Sequence, residues 1–208
     1  MQELKITEGQ EFNALSARLP DWTGWLSTFV MDSSGNFVGD TGSSRDISNH
    51  TDLQLLLALR AKAHVIVTTG KTARQEHYKS SRFAPIAILT RDPNSVSTLP
   101  LFANTAEHNN FTLSPPEGSN LSHWLTSQLQ QLGYTKFLFE GGPSTLAELL
   151  KAGMPLKLVI SVTGNSQFET SQASDLVERL LGDQFDFDLK DQFRVNENLV
   201  FILESKEL

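Results

Sequence analysis

The densest chemistry in the chain lies in Phe137-Leu138-Phe139-Glu140-Gly141-Gly142-Pro143-Ser144-Thr145-Leu146. An apolar run ends in a carboxylate and two glycines, and Pro143 suits the first turn of a following helix. Gly141 and Gly142 allow a tight turn and close backbone approach, while the helix start directs N–H groups at the gap, which suits a phosphate. A strand-to-helix turn that merely requires glycine would have the same sequence.

A second candidate is Val65-Ile66-Val67-Thr68-Thr69-Gly70-Lys71-Thr72, a β-branched run that ends in hydroxyls, a glycine and a cation. It is not a P-loop, because the glycine required five positions before Gly70 is Val65. What remains is a turn at the carboxyl end of a strand, where open α/β sheets bind ligands. Immediately after it come Arg74, Glu76 and His77; a solvated helix face would also carry such residues. Thr90-Arg91-Asp92-Pro93 repeats the arrangement after Ile86–Leu89, with Arg91 placed to meet a second phosphate or to serve as a plain turn residue. The five histidines lack metal-ligand spacing and no cysteine is present, so no metal site is expected. Neither a Gly-x-Ser-x-Gly elbow nor a Gly-x-Gly-x-x-Gly fingerprint occurs.

These turns need elements to hold them. Strands are predicted over Trp25–Val30, His64–Thr69, Ile86–Thr90, Lys136–Phe139, Leu158–Val162 and Leu199–Leu203. Helical spacing predicts helices over Asp52–Lys62, with Leu53, Leu56, Leu57 and Arg60 on one face, and over Leu121–Leu132, with Leu121, Leu125, Leu129 and Leu132. Shorter helices are predicted over Leu146–Ala152 and Leu176–Leu181, and a peripheral one over Glu8–Leu19. Phe185–Leu189 suits an amphipathic strand or a loop. The alternation implies an α/β fold: one domain over residues 1–208, with a peripheral segment at 1–22 and a mostly parallel sheet covered on both faces. The Gly-, Ser- and Asp-rich stretch Asp32–Asn49 exceeds ordinary loop length and is a candidate functional loop.

Composition narrows the partners. The 208 residues carry 17 basic and 24 acidic side chains, a formal charge of −7, which gives the wrong long-range field for phosphate-neutralising nucleic-acid binding. Without cysteine there is no disulfide or thiol nucleophile. No apolar run approaches the roughly 20 residues of a membrane helix, and no signal pattern opens the chain, so a cytoplasmic location is expected.

Taken in order, these segments resemble the reductase domain of bacterial riboflavin biosynthesis, which has the dihydrofolate-reductase-like fold. Phe29-Val30-Met31-Asp32 stands where that family has Ser-Leu-Asp-Gly. Gly42–Ser48, Asp52 and Leu59-Arg60-Ala61 match its Ser-containing loop and Leu-Arg-Ala helix end. Val67–Glu76 matches its strand, turn and acidic residue, and Glu140–Leu146 its Glu-Gly-Gly-Pro-Thr-Leu, with one extra residue. The resemblance spans about Trp25–Val162. It implies hydride transfer from NADPH to a ribosylamino-pyrimidine phosphate or a similar small heterocycle by an NADPH-dependent oxidoreductase, with a homodimer as the family's common assembly.

On this resemblance Thr72, Thr90, Gly141, Gly142, Pro143, Ser144 and Thr145 fall on cofactor positions, and the reading of the two other turns adds Gly70, Lys71 and Arg91 as cofactor candidates. Ser44, Arg60 and Glu140 fall on the family's substrate positions, with Arg60 as the ribose-phosphate ligand, and Asp52 and Arg74 are added as further substrate-binding candidates. Glu76 falls on the acidic position that handles the proton. With hydride supplied by nicotinamide, the protein must provide phosphate contacts, orientation and one partly desolvated acid. Glu76 and Glu140 are the leading candidates for that acid, followed by Asp32 and then Asp52. The chain differs from the family at Ser33, Thr69, Asp46 and Pro155-Leu156-Lys157, and it lacks the cysteines of the zinc-dependent deaminase partner. A stand-alone domain with another substrate is therefore a variant of the expectation. Its alternatives are a pterin or folate reductase and a silent nucleotide-binding paralogue.

Overall fold

The computed structural model describes residues 2–4, 6, 9–103, 108–164 and 173–206. In chain order the strands are β1 (Gln2–Leu4), β2 (Gly24–Met31), β3 (Val65–Thr69), β4 (Ile86–Leu89), β5 (Phe111–Leu113), β6 (Lys136–Phe139), β7 (Leu156–Val162), β8 (Phe187–Val195) and β9 (Asn198–Ser205). The helices are α1 (Glu11–Arg18), α2 (His50–Lys62), α3 (Gly70–Gln75), α4 (Pro100–Ala103), α5 (Leu121–Gln131), α6 (Pro143–Lys151) and α7 (Ala173–Leu181). All six predicted strands and all five predicted helices are present, within a few residues at each end; Glu8, the expected start of the first helix, lies outside the described residues. The architecture is α/β with a mostly parallel sheet, and the chain forms two compact units: Met1–Asp21 with Leu26–Leu59 and Pro155–Leu208, and Trp22–Trp25 with Arg60–Met154.

In the second unit the strand order is β6-β3-β4-β5, and every ladder is parallel. Val65, Ile66, Val67, Ile86, Ile88 and Phe139 are fully buried, as expected for strands covered on both faces. From β3 the chain steps to β4 and β5, then returns as β6 on the other side of β3. That reversal sets the carboxyl ends of β3 and β6 side by side, the arrangement in which open sheets form a ligand crevice.

In the first unit the order is β1-β8-β9-β7-β2. The ladders of β9 with β7 and β8 are the antiparallel part of the mostly parallel sheet. Val195 pairs with Asn198 across the two-residue turn Asn196-Glu197, with Asn196 at φ +50. Such a turn joins antiparallel strands only, and asparagine tolerates the left-handed conformation. In the N-terminal segment β1 pairs in parallel with β8 at the edge of this order, and Leu15 of α1 is fully buried. On α2 the buried side chains are Thr51, Leu55, Ala58 and Leu59, whereas Leu53 is 47% exposed. Five leucines between positions 53 and 59 make that helix apolar all round, so spacing alone chose the wrong stripe. Leu132, likewise assigned to a buried face, is 56% exposed just past α5.

Candidate active site

Glu140 immediately follows β6, and its backbone N–H still bonds Val67 of β3 at 2.8 Å. Thr68 Oγ1 donates to its carbonyl at 3.2 Å. With the backbone held on both sides, the buried Glu140, 7% exposed as a residue, has a defined place. Arg60, near the end of α2, meets it in a side-on fork: Nε donates to Oε1 at 2.8 Å and Nη2 to Oε2 at 2.5 Å. Tyr78 Oη donates to Oε2 at 2.7 Å, and the Arg60 guanidinium stands 5.6 Å from the centre of the Tyr78 ring. The fork with Glu140 uses Nε and Nη2, so Nη1 lies at the end of the guanidinium turned from this pairing.

The electrostatics follow from this geometry. Burial disfavours the Arg60 charge, but Glu140 outweighs it, so the guanidinium pKa rises above its ordinary value. Burial first, and the Glu140 charge second, hold the Tyr78 phenol well above its usual range. Tyr78 is therefore a neutral donor, and Glu140 accepts in all three of these contacts. That commits Glu140 to orientation more naturally than to proton donation, and Glu76 is not among the groups bonding it.

The turn after β3 lies beside the turn after β6. Thr69 caps α3, accepting from the Thr72 N–H at 3.2 Å and donating to Thr72 Oγ1 at 3.0 Å. The hydroxyl proton of Thr72 thus remains for another acceptor. Thr69, a departure from the family's glycine, is explained by this cap. The two glycines after β6 have different reasons. At Gly141 a Cβ would overlap the Phe139 ring, so packing demands glycine there. At Gly142 neither strain nor crowding does: φ is −69, and the nearest atom to an added Cβ is Thr72 Oγ1 at 3.8 Å. Gly142 is also the N-cap of α6, with no side-chain cap bond and Pro143 in the first turn. The space beside it thus meets bare helix-start backbone and the Thr72 hydroxyl.

Other assigned residues take other places. Gly70 is buried, and its Cβ would lie 3.1 Å from Thr90 Oγ1 and 3.3 Å from Val96, so its glycine serves the packing of α3. Thr90 bonds Asp92, accepting from its N–H at 3.2 Å and donating to its carbonyl at 3.1 Å; its hydroxyl proton is thereby engaged. Lys71, Arg91 and Ser144 are exposed and Thr145 is half-buried. Arg74 donates to Ser95 at 3.1 Å. Glu76 ends α3 in a half-buried position.

The remaining three belong to the first unit. Asp32 closes the turn after β2, accepting from the N–H groups of Ser34 and Asn36 and from Asn36 Nδ2, each at 2.8 Å. Burial would raise its pKa, but these bonds outweigh it and lower it, which disfavours Asp32 as an acid. Ser44 starts a 3-10 turn within the Asp32–Asn49 loop. Asp52 accepts from Ser48 Oγ at 2.6 Å, and burial holds its carboxyl above the ordinary value despite bonds from Ser48 and Ser161.

The residue that sequence reasoning passed over is Tyr78. It closes a segment already conspicuous for Arg74, Glu76 and His77, yet nothing local distinguished it from a surface tyrosine. Among the described residues no cluster of His, Asp or Glu could hold a metal ion, and no helix is long and apolar enough to cross a membrane.

No protein-family model matches the sequence, and no curated protein does. Solved structures do match in fold. A pyrimidine reductase-like protein of Corynebacterium diphtheriae is 18% identical with a TM-score of 0.63, over 94% of this chain and 98% of that one. A diaminohydroxyphosphoribosylaminopyrimidine deaminase/5-amino-6-(5-phosphoribosylamino)uracil reductase of Thermotoga maritima is 11% identical with a TM-score of 0.62, over 88% of this chain. This chain spans 57% of that longer protein. Dihydrofolate reductase of Enterococcus faecalis, complexed with NADP(H), is 11% identical with a TM-score of 0.52, over 88% of this chain and 97% of that one. The chain therefore has the dihydrofolate-reductase-like fold that these reductases share.

Proposed function

We propose that this protein is an NADPH-dependent reductase of a phosphoribosylamino-pyrimidine or a similar small heterocycle. The space beside Gly142 carries the proposal. A glycine that neither φ nor packing requires, at an uncapped helix start and facing a threonine hydroxyl with its proton to give, suits close approach by a diphosphate. The reversal of strand order puts that space where α/β sheets bind nucleotides, and a structural neighbour was solved with NADP(H).

In this scheme the cofactor, when bound, supplies the hydride, and the chain's residues hold and orient. Thr72 and the α6 start would receive the diphosphate, with Lys71 and Arg91 available to further phosphate oxygens. The end of Arg60 not bonded to Glu140 would meet an anionic or carbonyl group of the substrate, consistent with the ribose-phosphate role implied by the resemblance. Glu140 keeps Arg60 in place, and Glu76 becomes the preferred proton donor of the two glutamates. A homodimer belongs to the same proposal.

Mixing the protein with NADPH and 5-amino-6-(5-phosphoribosylamino)uracil while following nicotinamide absorbance tests it. Oxidation that depends on both is expected. Absence of NADPH binding would overturn the whole assignment, whereas binding without turnover of this or related pyrimidines would overturn the substrate.

A further inference from the structure

Tyr78 reaches Glu140 by an unusual route. Helix α3 ends in a reversal in which the Tyr78 N–H bonds Ala73 O at 3.0 Å and the His77 N–H bonds Arg74 O at 3.3 Å. The residue at the turning point is His77, at φ +47, a conformation usually left to glycine. The reversal brings the next side chain back to a charged pair rather than leaving it in solvent, and it does so at a strained position.

What the phenol does there follows from counting donors. A guanidinium can meet a carboxylate side-on through Nε and Nη2 or end-on through Nη1 and Nη2, with two bonds either way. Here the side-on form is present, and Oε2 accepts from both Arg60 Nη2 and Tyr78 Oη. A carboxylate anchored by a third donor cannot slide to the guanidinium's end without losing that bond. The Tyr78 ring near the guanidinium further limits its rotation. We propose that Tyr78 is a positioning residue of the site, acting through Glu140 to hold Arg60 side-on so that its Nη1 end stays available to the ligand. This rests on the function proposed above for the use made of Nη1, but the coupling itself can be tested without turnover.

The groups facing the phenol are Glu140 after β6, Arg60 on α2 and Thr68 on β3. The chain has two tyrosines, so Tyr134→Phe leaves Tyr78 as the only phenol. In that protein tyrosinate absorbance is followed against pH, with circular dichroism reporting the fold. Tyr78 should stay unionised until the protein unfolds in alkali. Adding Glu140→Gln removes the carboxylate charge and should bring ionisation down by about one pH unit or more, a tenfold gain in acidity. Ionisation near the ordinary phenol value in the parent, or an unchanged curve in a folded Glu140→Gln protein, would overturn the coupling. If Glu140→Gln does not fold, Glu140→Asp replaces it: a shorter carboxylate that leaves the titration unaltered has the same overturning force.

The positioning role has its own readout. Tyr78→Phe should leave NADPH affinity within about twofold of wild type, while KM for 5-amino-6-(5-phosphoribosylamino)uracil rises about tenfold, the worth of one charge-assisted bond, and kcat changes less. An unchanged KM would overturn the role. If wild type binds NADPH but does not turn this pyrimidine over, the substrate assignment fails and the tyrosinate titration alone decides Tyr78.

Discussion

Replacing Gly142 separates a ligand-facing glycine from a packing one. An added Cβ at Gly142 meets nothing nearer than Thr72 Oγ1 at 3.8 Å, and φ of −69 with ψ of 161 is accessible to any residue. Glycine is a better N-cap than alanine by some tenths of a kcal/mol, and alanine recovers a similar amount by restricting the unfolded chain. Gly142→Ala and Gly142→Val should therefore change unfolding free energy by less than about 1 kcal/mol. Cofactor binding should respond differently. If a diphosphate oxygen rests on this backbone, a side chain pushes it out of reach, and one charge-assisted hydrogen bond is worth about 1.5–3 kcal/mol. That corresponds to an NADPH Kd raised about tenfold for alanine and about a hundredfold for valine. Gly141→Ala is the contrasting control: its Cβ would overlap the Phe139 ring, and overpacking of that kind costs about 1–3 kcal/mol of stability. The assays are urea unfolding, and NADPH fluorescence titration at matched protein concentration. A Gly142→Val protein with wild-type affinity would refute the placement of the diphosphate; affinity and stability falling together would refute the claim that the space is open.

Glu140→Gln leaves the Arg60 charge without its partner in a largely buried place, and should cost about 3 kcal/mol in urea unfolding. The triple variant Arg60→Met, Glu140→Leu, Tyr78→Phe removes every member of the network and should recover most of that; a triple as unstable as the single would contradict the network. Arg91→Ala should lower the preference for NADPH over NADH about tenfold if the exposed Arg91 meets the 2′-phosphate, and an unchanged ratio of Kd values would exclude it. Asp52, held above the ordinary value of 3.8, binds its proton more tightly in the native state than in the unfolded chain. Its contribution to stability is thus greatest in acid and is lost as pH rises from 3.8 through the raised value. Wild type should lose stability relative to Asp52→Asn across that window; a flat difference curve measured by urea unfolding would disprove it.

Much of the framework was legible in the chain itself. Buried parallel strands are continuous apolar runs, so Val65–Thr69, Ile86–Leu89 and Lys136–Phe139 declared themselves, and the glycines and proline after Phe139 marked the turn that follows. Local composition decides such features because each is settled within one element and its own termini. The antiparallel β8–β9 hairpin was not legible, since Asn196-Glu197 lacks the usual glycine and only the pairing partner shows the turn. The buried face of α2 was equally hidden: with leucines on every side, the choice of Leu55 and Leu59 over Leu53 belongs to whatever packs against the helix. The same holds for the charged network. Arg60, Tyr78 and Glu140 lie far apart in the chain, and although Arg60 and Glu140 each stood out as candidates, nothing local showed that they meet or that Tyr78 joins them. Their meeting depends on β3 and β6 lying side by side, on α2 ending near them, and on a left-handed His77 turning Tyr78 inward. Sequence determined which side chains could act. Desolvation and strand order, which exist only in the folded chain, decided that Glu140 is an anchored acceptor and Tyr78 its donor.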